Sequence, residues 1–226
     1  MKLTKFTHSC VLVETKGEKI VVDPGNLSIS EEMINKCQNP SAILITHKHS
    51  DHCDIDTIKK IRGEKTKIYT SKEVTTTHPE LKAEIVKEGY TISIGEVRIE
   101  VVKSVHGYMP FLKGDNEIHE GLGFIIDRGK RVYFVGDSIC FKNEYKCNVI
   151  FVPVCNHGLV MGAFDAALFA KETKAELVIP YHYDNPALPA DLVKVKEEFE
   201  KAGINYKFLE TNETIEFWKN KKEELC

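Results

Sequence analysis

The chain has 226 residues, of which 42% are hydrophobic and 29% charged, values that are ordinary for a soluble globular protein. A net charge of −3 and a pI near 6.3 provide no basic surface for nucleic acid, so a nucleic-acid partner is not favoured. The first residues lack the apolar core of a signal peptide, and no apolar run reaches the roughly 20 residues that span a bilayer, so we expect a cytoplasmic protein with no membrane partner. The seven cysteines form no CxxC pair, and we expect them to be free thiols.

The first forty residues are predicted to form strands followed by a short helix. Residues 6–14, which include His8, are predicted as one strand, and residues 19–22 as a second strand that ends in Asp23-Pro24-Gly25. Asp23 at this strand end either holds a ligand imidazole by its free N–H or belongs to an ordinary turn, and the local sequence does not separate the two. A helix capped by Ser30 is predicted over 28–36.

A histidine-rich segment follows the next predicted strand. The apolar run at 41–45 predicts a buried strand, and it leads directly into His47, His49, Asp51 and His52. No single helix or strand face presents all four side chains, so the segment must curl as a loop, which can point two imidazoles at one ion and the Asp51–His52 pair at a second. The alternative is a polar loop that is rich in histidine by chance. Three of the nine histidines within six positions, directly after a strand, favour metal binding.

The next elements bring another histidine to a strand end. A helix over 54–61, a strand over 67–70, a helical turn capped by Ser71 and two strands around Gly95 are predicted, and the second of these strands runs into His106. A lone histidine is more often a satisfied polar group than a ligand. Because the first ion still needs a third imidazole, we expect His106 to be a ligand.

A long loop and a hairpin follow His106. The loop at 108–120 exceeds what a simple hairpin needs, and such loops often cover sites. His119 within it could contact substrate, although a surface position is the more usual one. Strands over 121–127 and 130–135 lead to Asp137. Because Asp137 follows an apolar strand and a glycine, we expect its carboxylate to bridge two ions. The alternative is that Asp137 caps a helix in the segment that ends at Cys147.

The remainder of the chain alternates strands and helices. A strand over 149–154 precedes His157, a helix over 163–174 precedes a strand over 177–180, and His182 follows that strand. An amphipathic helix over 189–202, short strands near Tyr206 and Ile215, and a lysine-rich tail complete the chain. The order of strands and helices is similar in the two halves of the chain. This order predicts two packed sheets with helices outside and with every candidate ligand at one edge.

This ordered set of motifs resembles the metallo-β-lactamase superfamily over nearly the whole chain. The resemblance rests on Asp23-Pro24-Gly25, the HxHxDH segment at 47–52, His106, Gly136-Asp137-Ser138 and His182. The chain looks most like the short metal-dependent hydrolases related to L-ascorbate-6-phosphate lactonase, because of His8 and the stretches 156–167 and 179–183. The resemblance implies one domain over 1–226, of the α/β (α+β) class, with a four-layer αββα sandwich of the metallo-β-lactamase type.

The resemblance also implies a site with two divalent metal ions. The residues implied for the first ion are His47, His49 and His106, those for the second are Asp51, His52 and His182, and Asp137 bridges the two. Zinc is the favoured ion, with manganese and iron as alternatives. Asp137 stands where the antibiotic-degrading branch has a cysteine, and Cys140 is out of register, so lactam hydrolysis is not expected.

The implied activity is that of a dinuclear metal-dependent hydrolase. A metal-bridging hydroxide would attack a small ester, lactone or phosphorylated substrate. Asp51 would orient the nucleophile, and His157 would contact substrate or protonate the leaving group. The oligomeric state is left open, and a homo-oligomer is compatible with the sequence.

Three other functions remain as alternatives. A phosphodiesterase or ribonuclease of the tRNA 3′-processing type shares the HxHxDH segment, but the acidic pI and the lack of a long RNA-gripping insertion count against it. A di-iron redox protein of the flavodiiron type would have a glutamate in place of His49 and would carry a flavin domain. A non-catalytic metal-binding subunit is disfavoured by the full set of seven ligands.

Overall fold

The structure is a computed structural model that describes residues 1–109, 117–186 and 189–217. Residues 110–116 of the predicted 108–120 loop, and most of the lysine-rich tail with Cys226, lie outside the described residues. Among the helices of the described ranges, none has the length and apolar character needed to cross a membrane.

Thirteen β-strands in the described ranges form two sheets. In chain order they are β1 (Lys2–Lys5), β2 (Val11–Thr15), β3 (Glu18–Val22), β4 (Ala42–Leu44), β5 (Lys67–Thr70), β6 (Glu84–Ile85), β7 (Thr91–Ile94), β8 (Val97–Lys103), β9 (Leu122–Asp127), β10 (Arg131–Phe134), β11 (Val149–Pro153), β12 (Leu177–Tyr181) and β13 (Thr214–Glu216). The first sheet has the order β13-β1-β2-β3-β4-β5-β6, and the second has the order β12-β11-β10-β9-β8-β7. Each sheet is antiparallel in one part and parallel in the other.

Five α-helices cover the outer faces of the sheets in the described ranges. They are α1 (Glu31–Lys36), α2 (Ile55–Ile61), α3 (Lys72–Thr77), α4 (Ala163–Thr173) and α5 (Leu192–Lys201). The side chains of Ser30, Asp54, Ser71 and Asp191 cap α1, α2, α3 and α5 by accepting a hydrogen bond from the backbone N–H three residues later. The helix starts at α1 and α3 therefore follow the capping serines that the sequence indicates.

Three apolar clusters separate four layers of structure. The cluster between the sheets includes Leu44 of the first sheet and Phe134 of the second. A second cluster packs α1, α2 and α3 on the first sheet, and a third packs α4 and α5 on the second sheet. Along β4 the side chains alternate, with Leu44 in the cluster between the sheets and Ile43 in the cluster under the helices. The layer order is therefore αββα, as the sequence predicts.

The structure corrects several local predictions. Residues 6–14 do not form one strand, because the chain turns between β1 and β2 at His8, whose φ of 66° is incompatible with a strand. No helix follows Asp137 in the segment to Cys147, so the helix-cap alternative for Asp137 is wrong. The predicted strand near Tyr206 is an isolated bridge to Val178, and β6 was not predicted.

Candidate metal centre

The predicted ligands lie at one edge of the sandwich, where several strands end. The histidine-rich loop follows β4, His106 follows β8, Asp137 follows β10 and His182 follows β12. In the second sheet, β8 and β10 both pair antiparallel with β9, and β10, β11 and β12 are parallel, so β8, β10 and β12 end on the same side. Long-range sheet pairing thus brings together residues that lie as far apart in the chain as His47 and His182.

Four side chains form the first of two groups of potential metal ligands. His47, His49, His106 and Asp137 each offer one ligand atom, and these atoms lie within 4.8 Å of one another. The ring centroids of His47 and His106 are 5.3 Å apart, and those of His49 and His106 are 4.9 Å apart. The three imidazoles predicted for the first ion are therefore together, with Asp137 beside them.

The second group contains one residue beyond the predicted set. Asp51, His52 and His182 offer ligand atoms within 4.8 Å of one another, and His8 offers a fourth in the same group. The sequence indicated His8 as a family feature but assigned it no function.

Asp137 contacts both groups. Its Oδ1 lies 3.1 Å from His52 Nε2 and its Oδ2 lies 3.1 Å from His182 Nε2, both in the second group. From the first group, His106 Nε2 is 3.7 Å and His47 Nε2 is 3.9 Å from Asp137 Oδ2. Asp137 therefore occupies the position expected of a carboxylate shared by two ions.

Hydrogen bonds at Nδ1 direct the Nε2 atoms of three histidines into the site, where His47 Nε2 also lies 3.1 Å from His49 Nδ1 of the same group. His106 Nδ1 donates to the carbonyl oxygen of Gly107 at 2.8 Å. Thr46 Oγ1 donates its single proton to Asp23 at 2.8 Å, so it accepts from His47 Nδ1 at 3.0 Å. His52 Nδ1 donates to Asp23 Oδ2 at 2.8 Å. Such outer contacts fix the tautomer and orientation of metal-binding imidazoles.

Asp23 holds the histidine-rich loop at the end of β3. Its carboxylate is fully buried and accepts from the Thr46 backbone N–H at 2.8 Å as well as from Thr46 Oγ1 and His52 Nδ1. Of the two interpretations that the sequence left open, the structure supports the carboxylate that holds an imidazole.

Replacing Asp23 with asparagine is expected to weaken metal binding without removing a ligand. In asparagine an NH2 group replaces one carboxylate oxygen and cannot accept from the Thr46 backbone N–H or from His52 Nδ1, so one of these contacts is lost, the orientation of His52 is less firmly fixed, and a loss of about 10- to 100-fold in metal affinity follows. Competitive titration against a chromogenic chelator measures this loss. Asp165→Asn, which changes an exposed aspartate of α4, is the matched control. An unchanged affinity in Asp23→Asn would contradict the role given to Asp23.

The electrostatics of the histidines suit metal binding. Burial, reinforced by the neighbouring His52, holds the pKa of His47 well below its usual value, and burial also lowers the pKa of His106. These rings are neutral at pH 7, which is the form that binds metals. Burial alone would lower the pKa of His52, but Asp137 and Asp23 on either side raise it well above its usual value. The carboxylates of Asp137 and Asp23 thus favour a positive charge at the position of His52.

The carboxylates of the site are ionised although they are buried. Burial acts to raise the pKa of Asp137, but His182 and His52 outweigh it and hold that pKa well below its usual range. Burial likewise acts to raise the pKa of Asp51, but His52 and His8 outweigh it and hold that pKa below its usual range. Two ionised carboxylates beside the neutral rings of His47 and His106 favour a bound cation.

Several buried ligand atoms make no hydrogen bond of good geometry with the described residues, although His52 Nε2 and His182 Nε2 each lie 3.1 Å from an oxygen of Asp137. They are His52 Nε2, His106 Nε2, His182 Nδ1, His182 Nε2 and Asp137 Oδ1. Buried polar atoms are nearly always paired, so a set of unpaired ones facing a common point indicates a ligand. Nitrogen and carboxylate oxygen donors suit zinc, iron and manganese. The residues of both groups therefore fit divalent metal ions.

Two glycines allow the close packing behind the site. A Cβ built on Gly25 would lie 1.8 Å from the carbonyl oxygen of Asp51, so only glycine fits where the Asp23-Pro24-Gly25 turn meets the loop. Gly136 has a φ of 70°, and a Cβ there would lie 2.7 Å from the carbonyl oxygen of Leu122. The glycine that precedes Asp137 is thus required by the backbone.

Lys48 anchors the loop through an ion pair with Glu73. Its Nζ lies 2.9 Å from Glu73 Oε1, and both side chains are largely buried. The other oxygen of Glu73 accepts from the backbone N–H groups of His119 and Glu120, both at 3.0 Å. The segment that returns from the 108–120 loop is therefore tied to the metal-binding loop through Glu73, a contact that no local motif indicates.

His157 lies near the second group, whereas His119 faces solvent. The ring centroids of His157 and His182 are 6.5 Å apart. The Leu159 backbone N–H donates to His157 Nδ1, so Nε2 carries the proton, and Nε2 is buried without a partner among the described residues. His157 thus presents a free N–H donor near the centre. The His119 side chain is 71% exposed.

Two cavities border the predicted ligands. One of about 460 Å³ is lined by His49 and Asp51 together with Lys48, Ile55 and His78. A smaller one of about 170 Å³ is lined by His106, Tyr108 and His119. Pockets for small molecules span about 300–1,000 Å³, so the larger cavity has the volume for such a substrate beside two candidate ligands.

Comparison with known families gives a match that covers most of the chain. A family model described as a beta-lactamase superfamily domain matches residues 2–182. A curated relative from Nanoarchaeum equitans, a UPF0173 metal-dependent hydrolase, is 28% identical over 235 residues that cover 96% of this chain and 100% of the relative. The expected superfamily, and the placement near short metal-dependent hydrolases, are thereby confirmed.

Solved structures show the same fold. A metallo hydrolase from the hyperthermophilic archaeon Ignicoccus hospitalis superposes with a TM-score of 0.77 at 26% identity, covering 96% of this chain and 99% of that one. A metallo-beta-lactamase fold protein from Bacillus subtilis superposes with a TM-score of 0.75 at 17% identity, covering 95% of this chain and 99% of that one. The four-layer αββα sandwich predicted from the sequence is confirmed.

Proposed function

Because this chain belongs to the β-lactamase superfamily and is a metal-dependent hydrolase, we propose that it uses two divalent cations to hydrolyse a small ester, lactone or phosphorylated substrate. The observation that carries the proposal is the convergence of two groups of ligand atoms, each within 4.8 Å, on the shared carboxylate of Asp137. The seven residues predicted from the sequence are the proposed ligands, and zinc is the proposed ion.

Bound cations would supply two things, a lowered pKa of water near neutrality and polarisation of the oxygen under attack. The protein's own groups perform the remaining tasks. Asp51 Oδ2 accepts from His8 Nε2 at 3.0 Å, and the remaining lone pairs of the carboxylate would serve the cation and a hydrogen bond from the attacking water. His157 Nε2 is the proposed donor to an oxygen of the substrate or of the leaving group.

The larger cavity supports a small substrate over a nucleic acid. Besides the proposed ligand Asp51, its wall carries the carboxylates of Asp54 and Asp56, which would repel a run of successive phosphates more strongly than a single phosphoryl group held by the cations. Lys48 in the same wall is paired with Glu73 at 2.9 Å. These contacts disfavour the ribonuclease alternative.

Assays of zinc-loaded protein on a panel of lactones, carboxylic esters and phosphodiesters test the proposal. Wild type is expected to hydrolyse at least one of these classes, and Asp51→Ala is expected to lower its kcat/KM by about 10³-fold, the effect of losing several kcal/mol of transition-state stabilisation. Asp165→Asn, at an exposed position, should match wild type.

Three results would contradict the proposed function. Loaded wild type could be inactive on every class, it could instead cleave RNA with strongly salt-dependent binding, or iron-loaded protein could consume oxygen in place of hydrolysis. The last two results would favour the ribonuclease and the di-iron redox alternatives, respectively.

A further inference from the structure

The turn between β1 and β2 contributes a side chain to the metal centre. His8 is fully buried, and it adopts a left-handed backbone with φ of 66°. Strained positions of this kind persist where the surrounding contacts determine them, and they concentrate at functional sites. The contacts of His8 therefore indicate the function of this turn.

A buried ion pair fixes this turn to the segment that follows β12. Lys5 is fully buried, and its Nζ donates to Asp184 Oδ2 at 2.9 Å and to the carbonyl oxygen of Phe6 at 3.1 Å. The same ammonium lies 4.9 Å from the centroid of the Tyr183 ring. A buried charge must be paired, so Lys5 and Asp184 hold each other in place.

Asp184 extends this link to His8. Its second oxygen, Oδ1, accepts from the His8 backbone N–H at 3.1 Å. The His182 backbone N–H donates to the carbonyl oxygen of His8 at 3.3 Å. The Lys5–Asp184 pair thus sets the position of His8 relative to His182, although His8 and Asp184 are 176 residues apart in the chain.

The turn contacts Asp51 twice. His8 Nε2 lies 3.0 Å from Asp51 Oδ2, and because an ionised carboxylate only accepts, Nε2 carries the proton and donates. The hydroxyl of Ser9 donates to the carbonyl oxygen of Asp51 at 3.3 Å. Both the side chain and the backbone of Asp51 are held by the turn.

The His8 ring also packs on the other ligands of the second group. Its centroid is 3.9 Å from that of His182 and 5.7 Å from that of His52. Within the described part of the chain, the His8 side chain hydrogen-bonds to Asp51 and makes ring contacts with His52 and His182. The rings of His47, His49 and His106 contact one another and not His8.

We propose that His8 is a positioning residue for the second cation group, and that it sets the affinity of this group separately from that of the first. His8 acts through its hydrogen bond to Asp51 and its packing on His182, and the Lys5–Asp184 pair holds it in place. The inference rests on the proposed function, because it assumes that both groups bind a cation. It adds to that function a residue outside the ligand set that decides how firmly the second cation is held.

Metal titration of the whole protein tests this inference without an activity assay. Metal-free protein is titrated with Co²⁺, and calorimetry and visible absorption report each binding event. His8→Phe keeps a ring of similar size but loses the N–H donor, and it is expected to weaken the second event by about 10- to 100-fold, the usual cost of losing an outer contact to a ligand. The first event is expected to keep its affinity.

Three further variants separate positioning from a general structural role. His8→Gln restores an N–H donor and is expected to recover most of the second-site affinity with an unchanged Co²⁺ spectrum. Lys5→Met combined with Asp184→Asn removes the buried pair without leaving a lone charge, and it is expected to weaken the second event by a smaller factor. His119→Phe, which removes an imidazole that is 71% exposed, is the matched control and should leave both events unchanged.

The titration also separates failure of this inference from failure of the proposed function. If wild type binds fewer than two cations, both are wrong. If wild type binds two and His8→Phe matches it, or if both events weaken alike, only the inference is overturned. A changed spectrum in His8→Gln would overturn it as well, because it would make His8 a direct ligand.

Discussion

Replacing Asp137 with asparagine is expected to lower kcat/KM by about 10³-fold or more, the largest loss expected of any single substitution in this chain. Asp137 Oδ1 faces His52 Nε2 at 3.1 Å, and Oδ2 faces His182 at 3.1 Å and His106 at 3.7 Å. One neutral amide therefore disturbs both groups of ligands at once. Asparagine has nearly the same shape as aspartate, so the fold is expected to remain intact.

Three measurements together test this prediction. Steady-state kinetics gives the loss of activity, elemental analysis gives the metal bound per chain, and circular dichroism checks the fold. We expect a folded protein with reduced metal content and little activity. Asp165→Asn provides the matched control, since Asp165 is an exposed aspartate on α4. Full metal content in Asp137→Asn would show that Asp137 does not lie between two ions.

Removing the bound cations is expected to lower the melting temperature strongly. A cation present at about 1,000 times its dissociation constant stabilises the folded state by about 4 kcal/mol. For a chain of this size each kcal/mol corresponds to about 2–4 °C, so the loss amounts to about 8–16 °C for each cation removed. The physical reason is that the buried carboxylates of Asp51 and Asp137 are ionised and lose the charge of the cations when the cations leave.

Calorimetric melting curves with and without a chelator measure this loss of stability. Restoring Zn²⁺ should return the melting temperature to its original value. The same comparison in Asp137→Asn should give a much smaller shift, since that variant holds fewer cations. A chelator that leaves the wild-type melting temperature unchanged would contradict the view that the buried carboxylates need a cation.

The convergence of the candidate ligands at one edge could be predicted because most of them follow a recognisable strand, whereas their division between two ions is implied by the family resemblance and stays a prediction. Short apolar runs precede His47, His106, Asp137 and His182, and a polar residue just after a buried strand lies at a sheet edge. The HxHxDH spacing then indicates which edge residues bind metal. Pattern and spacing together are local properties, and local properties can be inferred from a single sequence.

The sequence left open whether Asp23 holds an imidazole and did not indicate which one, and it did not predict the other contacts that support the ligands, because these contacts join distant parts of the chain. Asp23 holds His52 from 29 residues away, and Lys5 pairs with Asp184 from 179 residues away. No periodicity or spacing links such residues. The turn at His8 was missed for a related reason, since apolar residues on both sides of it suggest a continuous strand, whereas the hydrogen bond from the Phe6 N–H to the Cys10 carbonyl closes a turn.

Anomalous diffraction from crystals of the zinc-loaded protein tests the dinuclear centre most directly. We predict two peaks, one about 2.0–2.2 Å from nitrogens of His47, His49 and His106, and the other at the same distance from ligand atoms of Asp51, His52 and His182. The Asp137 carboxylate should lie between them. A single peak, or peaks away from these residues, would contradict the account.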